Sequence, residues 1–190
     1  MAKASRSYGG VALEQRRAER RERLIRAAVS VASRVGREAT SVASICAEAG
    51  LTARYFYESF PNRDALFAEA YAHVQQELFG RMAPVISSDD PVRSALTGFF
   101  AALATHPAPA RVFLLDLEEQ DKAMKDLGRA AGDRLGQLIV PDAASPLARV
   151  GATGAVVQMA KRWIESGFAQ PVETLVALAL PFCRAAAVQA

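Results

Sequence analysis

Thiols and imidazoles are almost absent: the 190-residue chain has two cysteines, Cys46 and Cys183, and two histidines, His73 and His106. So few exclude a disulfide scaffold and argue against a finger-type zinc site. Also missing are a Gly-rich phosphate loop, a metal-ligand pair at helix spacing, and a close Ser/His/Asp or Cys/His arrangement. An enzyme on a helical scaffold therefore stands only as a rival reading, and no cofactor is expected. Long apolar runs are lacking too. Stretches such as Leu175–Leu180 fall far short of the roughly 20 residues of a membrane span. The first ten residues carry charge with no apolar stretch behind them, so no secretory leader is expected. The expectation is a cytoplasmic protein with no membrane partner.

What is present is an ordinary globular composition, 51% apolar and 23% charged, enough for one or two domains with a sizeable core. The net charge of +3 looks uninformative. Its distribution is not. Residues 1–64 hold 12 Lys/Arg against 7 Asp/Glu, whereas residues 65–190 hold 11 against 13. Eleven of the twelve N-terminal cations are arginine, whose planar fork suits phosphate oxygens. A basic first third on a mildly acidic remainder points to a polyanion for one part only.

The apolar spacing is helical throughout. Leu24, Ala27, Ala28, Val31, Ala32 and Val35 predict a helix over about 14–35, stopped by Gly36. Its other face carries Arg16, Arg17, Arg20, Arg21 and Arg23. Thr40-Ser41 opens a second helix, ended by Gly50, and Thr52 is placed to cap a short third one before Pro61. Helix, glycine turn and short helix together have the form of a helix-turn-helix. Asn62 caps a long fourth helix to about Met82. Asp90-Pro91 opens a helix to about Thr105, Pro107 and Pro109 break the chain, and further helices span about 110–119 and 121–139. Ser145-Pro146 and Pro171 open the last two. The fold class is all-α, with about nine helices.

The runs Arg23-Leu24-Ile25-Arg26-Ala27-Ala28, Thr40-Ser41-Val42-Ala43-Ser44-Ile45, Ala49-Gly50-Leu51-Thr52 and Phe56 through Leu66 resemble the DNA-binding domain of TetR-type transcriptional regulators, in order and spacing over roughly residues 20–70. Residues 1–12, with Gly9-Gly10 and little periodicity, read as a flexible tail; the resemblance implies a helix-turn-helix domain over 13–62 and a ligand-binding and dimerisation domain over 63–190. It also implies a repressor that binds a palindromic operator in double-stranded DNA as a homodimer and is released by a small-molecule effector. A non-specific DNA-binding protein is the second rival. Three positions depart from the family pattern: Arg54 replaces a common glycine, Ser59 a histidine and Arg63 a lysine.

The third helix is the expected reading element, its first residues against base edges in the major groove. Thr52, Ala53, Arg54 and Tyr55 occupy that turn, and Tyr57 resembles the family's phosphate-contacting tyrosine. Consecutive helical residues are about 100° apart, so Tyr55, Phe56 and Tyr57 cannot all face one core; Phe56 and Phe60 are assigned to it. Arg63 opens the fourth helix, where the helix dipole disfavours a cation, and a phosphate there would explain it. Ser59, Thr40, Ser41, Arg16, Arg17 and Arg20 complete the expected DNA contacts. Gly151, Ala152, Gly154, Ala155 and Ala160, with the apolar last helix, predict a dimer through the final two helices. The resemblance implies an effector chamber, for which Phe99, Phe100, Leu103, Phe113, Leu117, Met124, Gln158, Met159 and Trp163 are the expected lining.

Overall fold

The computed structural model describes residues 6–82, 89–115 and 122–187, with side chains from Leu13 onward except those of 123 and 124. Among these residues it has nine helices and no strand: α1 (Arg6–Val35), α2 (Val42–Ala49), α3 (Ala53–Ser59), α4 (Arg63–Met82), α5 (Pro91–Thr105), α6 (Pro107–Leu114), α7 (Lys122–Ile139), α8 (Pro146–Glu165) and α9 (Val172–Ala186). No helix among them is long and apolar enough to cross a membrane.

Helix ends follow local chemistry. Ser41 and Ser44 form a reciprocal capping box at α2, and the Asp90 and Ser145 side chains accept the N–H of Arg93 and Ala148 at α5 and α8. Asn62 Oδ1 accepts the Ala65 N–H at 2.8 Å. Three expectations need correction. α1 begins at Arg6, so residues 6–12 continue a helix where a tail was expected; once a helix is nucleated, each added residue gains a bond at little cost. α6 begins at Pro107 rather than 110, because first-turn N–H groups have no acceptor and both prolines are tolerated there. Thr52 precedes α3 but its side chain makes no capping bond.

The chain divides into two compact units, 1–71 and 72–190. The division falls inside α4, not at 62/63. The first turns of that helix belong to the head because Asp64 pairs with Arg37, Glu69 pairs with Arg21, and the Arg37 guanidinium lies over the Phe67 ring at 5.1 Å.

In the second unit α5 packs on α6, α7 and α9, while α8 packs on α6, α7 and α9. Close approaches explain two glycines. A Cβ on Gly98 would lie 3.3 Å from Met82 Cα, and one on Gly136 would lie 2.7 Å from Thr153 Oγ1. Arg149 donates to the carbonyls of Val140 (3.0 Å) and Pro141 (2.8 Å), placing a cation at the carboxyl end of α7. α9 runs on through Pro181. The ring is exposed, and so is Ala177, whose carbonyl loses its partner and can meet water instead. Cys46 and Cys183 are buried free thiols; burial raises both pKa values, that of Cys183 to about 11, so neither is a reactive thiolate at neutral pH.

Candidate nucleic-acid interface

The head is built around two glycine stops. Gly36 (φ 79°) ends α1, its N–H bonding Ala32 O at 2.8 Å. Gly50 (φ 61°) ends α2 with paired bonds, Gly50 N–H to Ala47 O and Leu51 N–H to Cys46 O, the six-to-one pattern that reverses a chain after a helix. This reversal sets the angle between α2 and α3. Gly50→Ala is expected to destabilise the head by about 1 kcal/mol or more, since an L-residue is strained at positive φ. The new Cβ would also lie 3.2 Å from Arg23 Nη2. Urea melts of the variant beside wild type would measure it, and an unchanged midpoint would refute the assignment.

α3 is anchored from one side. Phe56 and Phe60 are 0% and 1% exposed, with ring centroids 6.0 Å apart. The opposite side is open: Thr52, Ala53, Arg54 and Glu58 are exposed, and Tyr57 is 62% exposed. Tyr55 lies between the two sides, under the Arg20 guanidinium at 4.5 Å. The three consecutive aromatics thus take three environments, as their angular spacing requires. Arg54 extends outward, and its Nε donates to Glu58 Oε1 at 2.9 Å.

Most other arginines of the head hold the head together. Arg21 bonds the Ser59 carbonyl and Glu69, and lies over the Phe60 ring. Arg23 donates to Ala49 O at 2.6 Å. Arg34 pairs with Glu48 at 2.9 Å, which lowers the Glu48 pKa chiefly through that hydrogen bond. Arg37, buried, pairs with Asp64 at 2.8 Å. Arg63, for which a phosphate was invoked, instead reaches the carbonyls of Thr40 (3.1 Å), Glu38 (3.3 Å) and Arg37 (3.5 Å). Those carbonyl dipoles offset its position at the helix start, and an anion is not needed to explain it.

Two expected contacts therefore turn inward. Thr40 is fully buried, with Oγ1 donating to Gly36 O at 2.7 Å, and Ser59 Oγ donates to Tyr55 O at 2.9 Å. Ser41 is exposed beside its cap, and Arg16 and Arg17 are exposed on α1. The sequence reading missed Glu58 and Arg37. The first was visible as an acid four residues after Arg54; the second had no local signal, because its partner is 27 residues away.

In the second unit, Phe99, Phe100, Leu103, Phe113 and Trp163 are buried. Trp163 stacks edge-on against Phe100 (5.7 Å) and Phe168 (5.0 Å) and donates its indole N–H to Gln170 O. It secures the turn after α8, where Gly167 and Phe168 both have positive φ. Met159 is half-buried and Gln158 exposed, while Leu117 and the Met124 side chain lie outside the described residues. Along α8, Leu147, Val150, Gly151, Gly154 and Gln158 form an exposed stripe; along α9, Thr174, Ala177, Leu178, Pro181, Phe182 and Ala185 form another. Leu147 is 82% exposed and Leu178 57%.

A short helix anchored on one side and open on the other, set by a glycine turn after a capped helix, is a helix-turn-helix head of the DNA-binding regulator class. Residues 24–70 match the family model described as bacterial regulatory proteins, tetR family. Over those residues the chain carries a domain of the kind that this family model describes. No curated protein matches it. Among solved structures it is similar to a TetR-like transcriptional regulator from Rhodococcus sp. RHA1, with TM-score 0.71 and 21% identity over 87% of this chain and 93% of that one. It is also similar to the regulator FadR from Bacillus subtilis in complex with stearoyl-CoA, with TM-score 0.67 and 18% identity over 86% and 95% of the chains. The multidrug binding protein EbrR complexed with imidazole gives TM-score 0.70 and 16% identity over 90% and 97%. At these identities the likeness is one of fold.

Proposed function

We propose that this chain is a TetR-type transcriptional repressor that binds a palindromic operator as a homodimer and is released by a small-molecule effector. The observation that carries the DNA reading is the open side of α3, where Thr52, Arg54 and Tyr57 face solvent on a helix fixed by Phe56 and Phe60. Tyr55, steadied by Arg20, and Ser41, Arg16 and Arg17 lie on exposed or half-exposed positions of the same unit. Thr40, Ser59 and Arg63 act through the backbone they hold.

One head buries too little surface for tight, specific binding, which favours two heads on a two-fold site. The exposed apolar stripes of α8 and α9 support the dimer, for a helix covered on one side needs only one apolar stripe, and α9 has two. The aromatic interior of the second unit, and the ligand-bound states of the FadR and EbrR structures, support an effector site. The effector acts only if it binds the operator-competent and operator-incompetent states unequally. This reading is preferred over turnover chemistry because the model that residues 24–70 match describes bacterial regulatory proteins.

Selection of bound fragments from genomic DNA by the purified protein tests the proposal. A palindromic consensus is expected, with operator affinity falling steeply with salt. Several arginines are tied up internally, so the slope should reflect fewer phosphates than the arginine count suggests. Even about six phosphate contacts per dimer cost orders of magnitude between low and moderate salt. Equal affinity for consensus and random duplex at one salt concentration would favour a non-specific binder; turnover of a candidate ligand would favour an enzyme.

A further inference from the structure

We infer that Glu58 is a positioning residue for base recognition: it holds Arg54 by Nε so that the two terminal nitrogens of the guanidinium face outward as a fork for guanine. This rests on the DNA-binding reading above and adds to it a second residue and a base.

The geometry is specific. Arg54 Nε donates to Glu58 Oε1 at 2.9 Å, one helical turn along the open side of α3. Among the described residues, neither terminal nitrogen of Arg54 has a partner, and the side chain is 84% exposed. A guanidinium bonded through Nε has its remaining plane fixed, and the Nη pair then presents parallel N–H donors. That is the pattern that matches O6 and N7 of guanine in the major groove.

Helix stability does not account for the pair. The acid follows the base, the less favourable order for an ion pair four residues apart. Arg54 stands in the first turn, where the dipole disfavours a cation, and Glu58 in the last, where it disfavours an anion. Affinity for phosphate does not account for it either, because a carboxylate on a DNA-facing surface repels the backbone. What the carboxylate contributes is direction: an arginine on an exposed helix otherwise samples many rotamers, and fixing it in advance reduces the entropy lost on contact.

The test begins with wild-type protein and randomised duplexes, which identify the operator and the base pair preferred in each half-site. At one such pair, replacing G·C is expected to weaken wild-type binding about tenfold or more, the scale of one bidentate contact. Arg54→Ala should abolish that preference. Glu58→Ala should reduce it to about threefold or less while binding to random duplex rises, and Glu58→Gln, which keeps the acceptor oxygen, should restore it. The double variant should show no further loss of preference beyond Arg54→Ala alone. A Glu58→Ala protein with wild-type base preference, shifted in affinity equally for all sequences, would overturn the assignment, as would a Glu58→Gln protein no better than Glu58→Ala. If the wild type selects no duplex, the DNA reading fails and this inference with it; if it selects an operator with no guanine preference tied to Arg54, this inference alone fails.

Discussion

Phe56→Ala is expected to unfold the head and abolish duplex binding while the second unit keeps its structure. Phe56 is fully buried, edge-on to Tyr57 at 5.2 Å and tilted on Phe60 at 6.0 Å, so its loss opens a cavity on the side from which α3 is held. Truncations of this kind cost about 3–5 kcal/mol. A unit of some seventy residues has about that much stability in total. The chain supplies its own probe for the distinction. Its single tryptophan, Trp163, lies in the core of the second unit. Far-ultraviolet circular dichroism should lose part of its helical signal, while tryptophan fluorescence melts near the wild-type temperature. Simultaneous loss of both signals would show that the units do not unfold separately.

The second large effect concerns assembly. Leu178→Asp is expected to convert the proposed dimer to a monomer without unfolding it. The residue is 57% exposed in the isolated chain and lies mid-stripe between Thr174 and Phe182, so the carboxylate costs little until a partner must cover it. Operator affinity should then fall by about a hundredfold to ten-thousandfold, the range lost when two linked heads become independent. Sedimentation equilibrium measures the first outcome and an electrophoretic titration the second. A variant that still dimerises and binds normally would place the interface elsewhere.

Much of the fold was legible because its signals are local. Gly36, Gly50, Ser41, Asn62, Asp90 and Ser145 each fix a helix end through a bond to a residue at most five positions away. The same locality made Phe56 and Tyr57 separable by angle. Arginine roles were not legible in this way. Arg23, Arg34, Arg37 and Arg63 carry no local sign of their partners, and in three dimensions each bonds a group 14 or more residues away. Thr40 was misjudged for a related reason: a hydroxyl four residues after Gly36 can face water or close the turn, and only tertiary burial decides. Trp163 shows the same limit in the second unit, where an aromatic at core spacing proves to secure a turn through its indole N–H.

The joint between the α1–α2 turn and the start of α4 has a mechanical consequence. Arg63 grips the turn by its carbonyls, and Arg37, within that turn, grips Asp64 in return. Two reciprocal ties at one helix end oppose both sliding and swivelling of this end of α4. A displacement of the first turn of α4 would pull on the α1–α2 turn, and through it on the start of α2. Within the head the joint works as a gear tooth rather than a hinge.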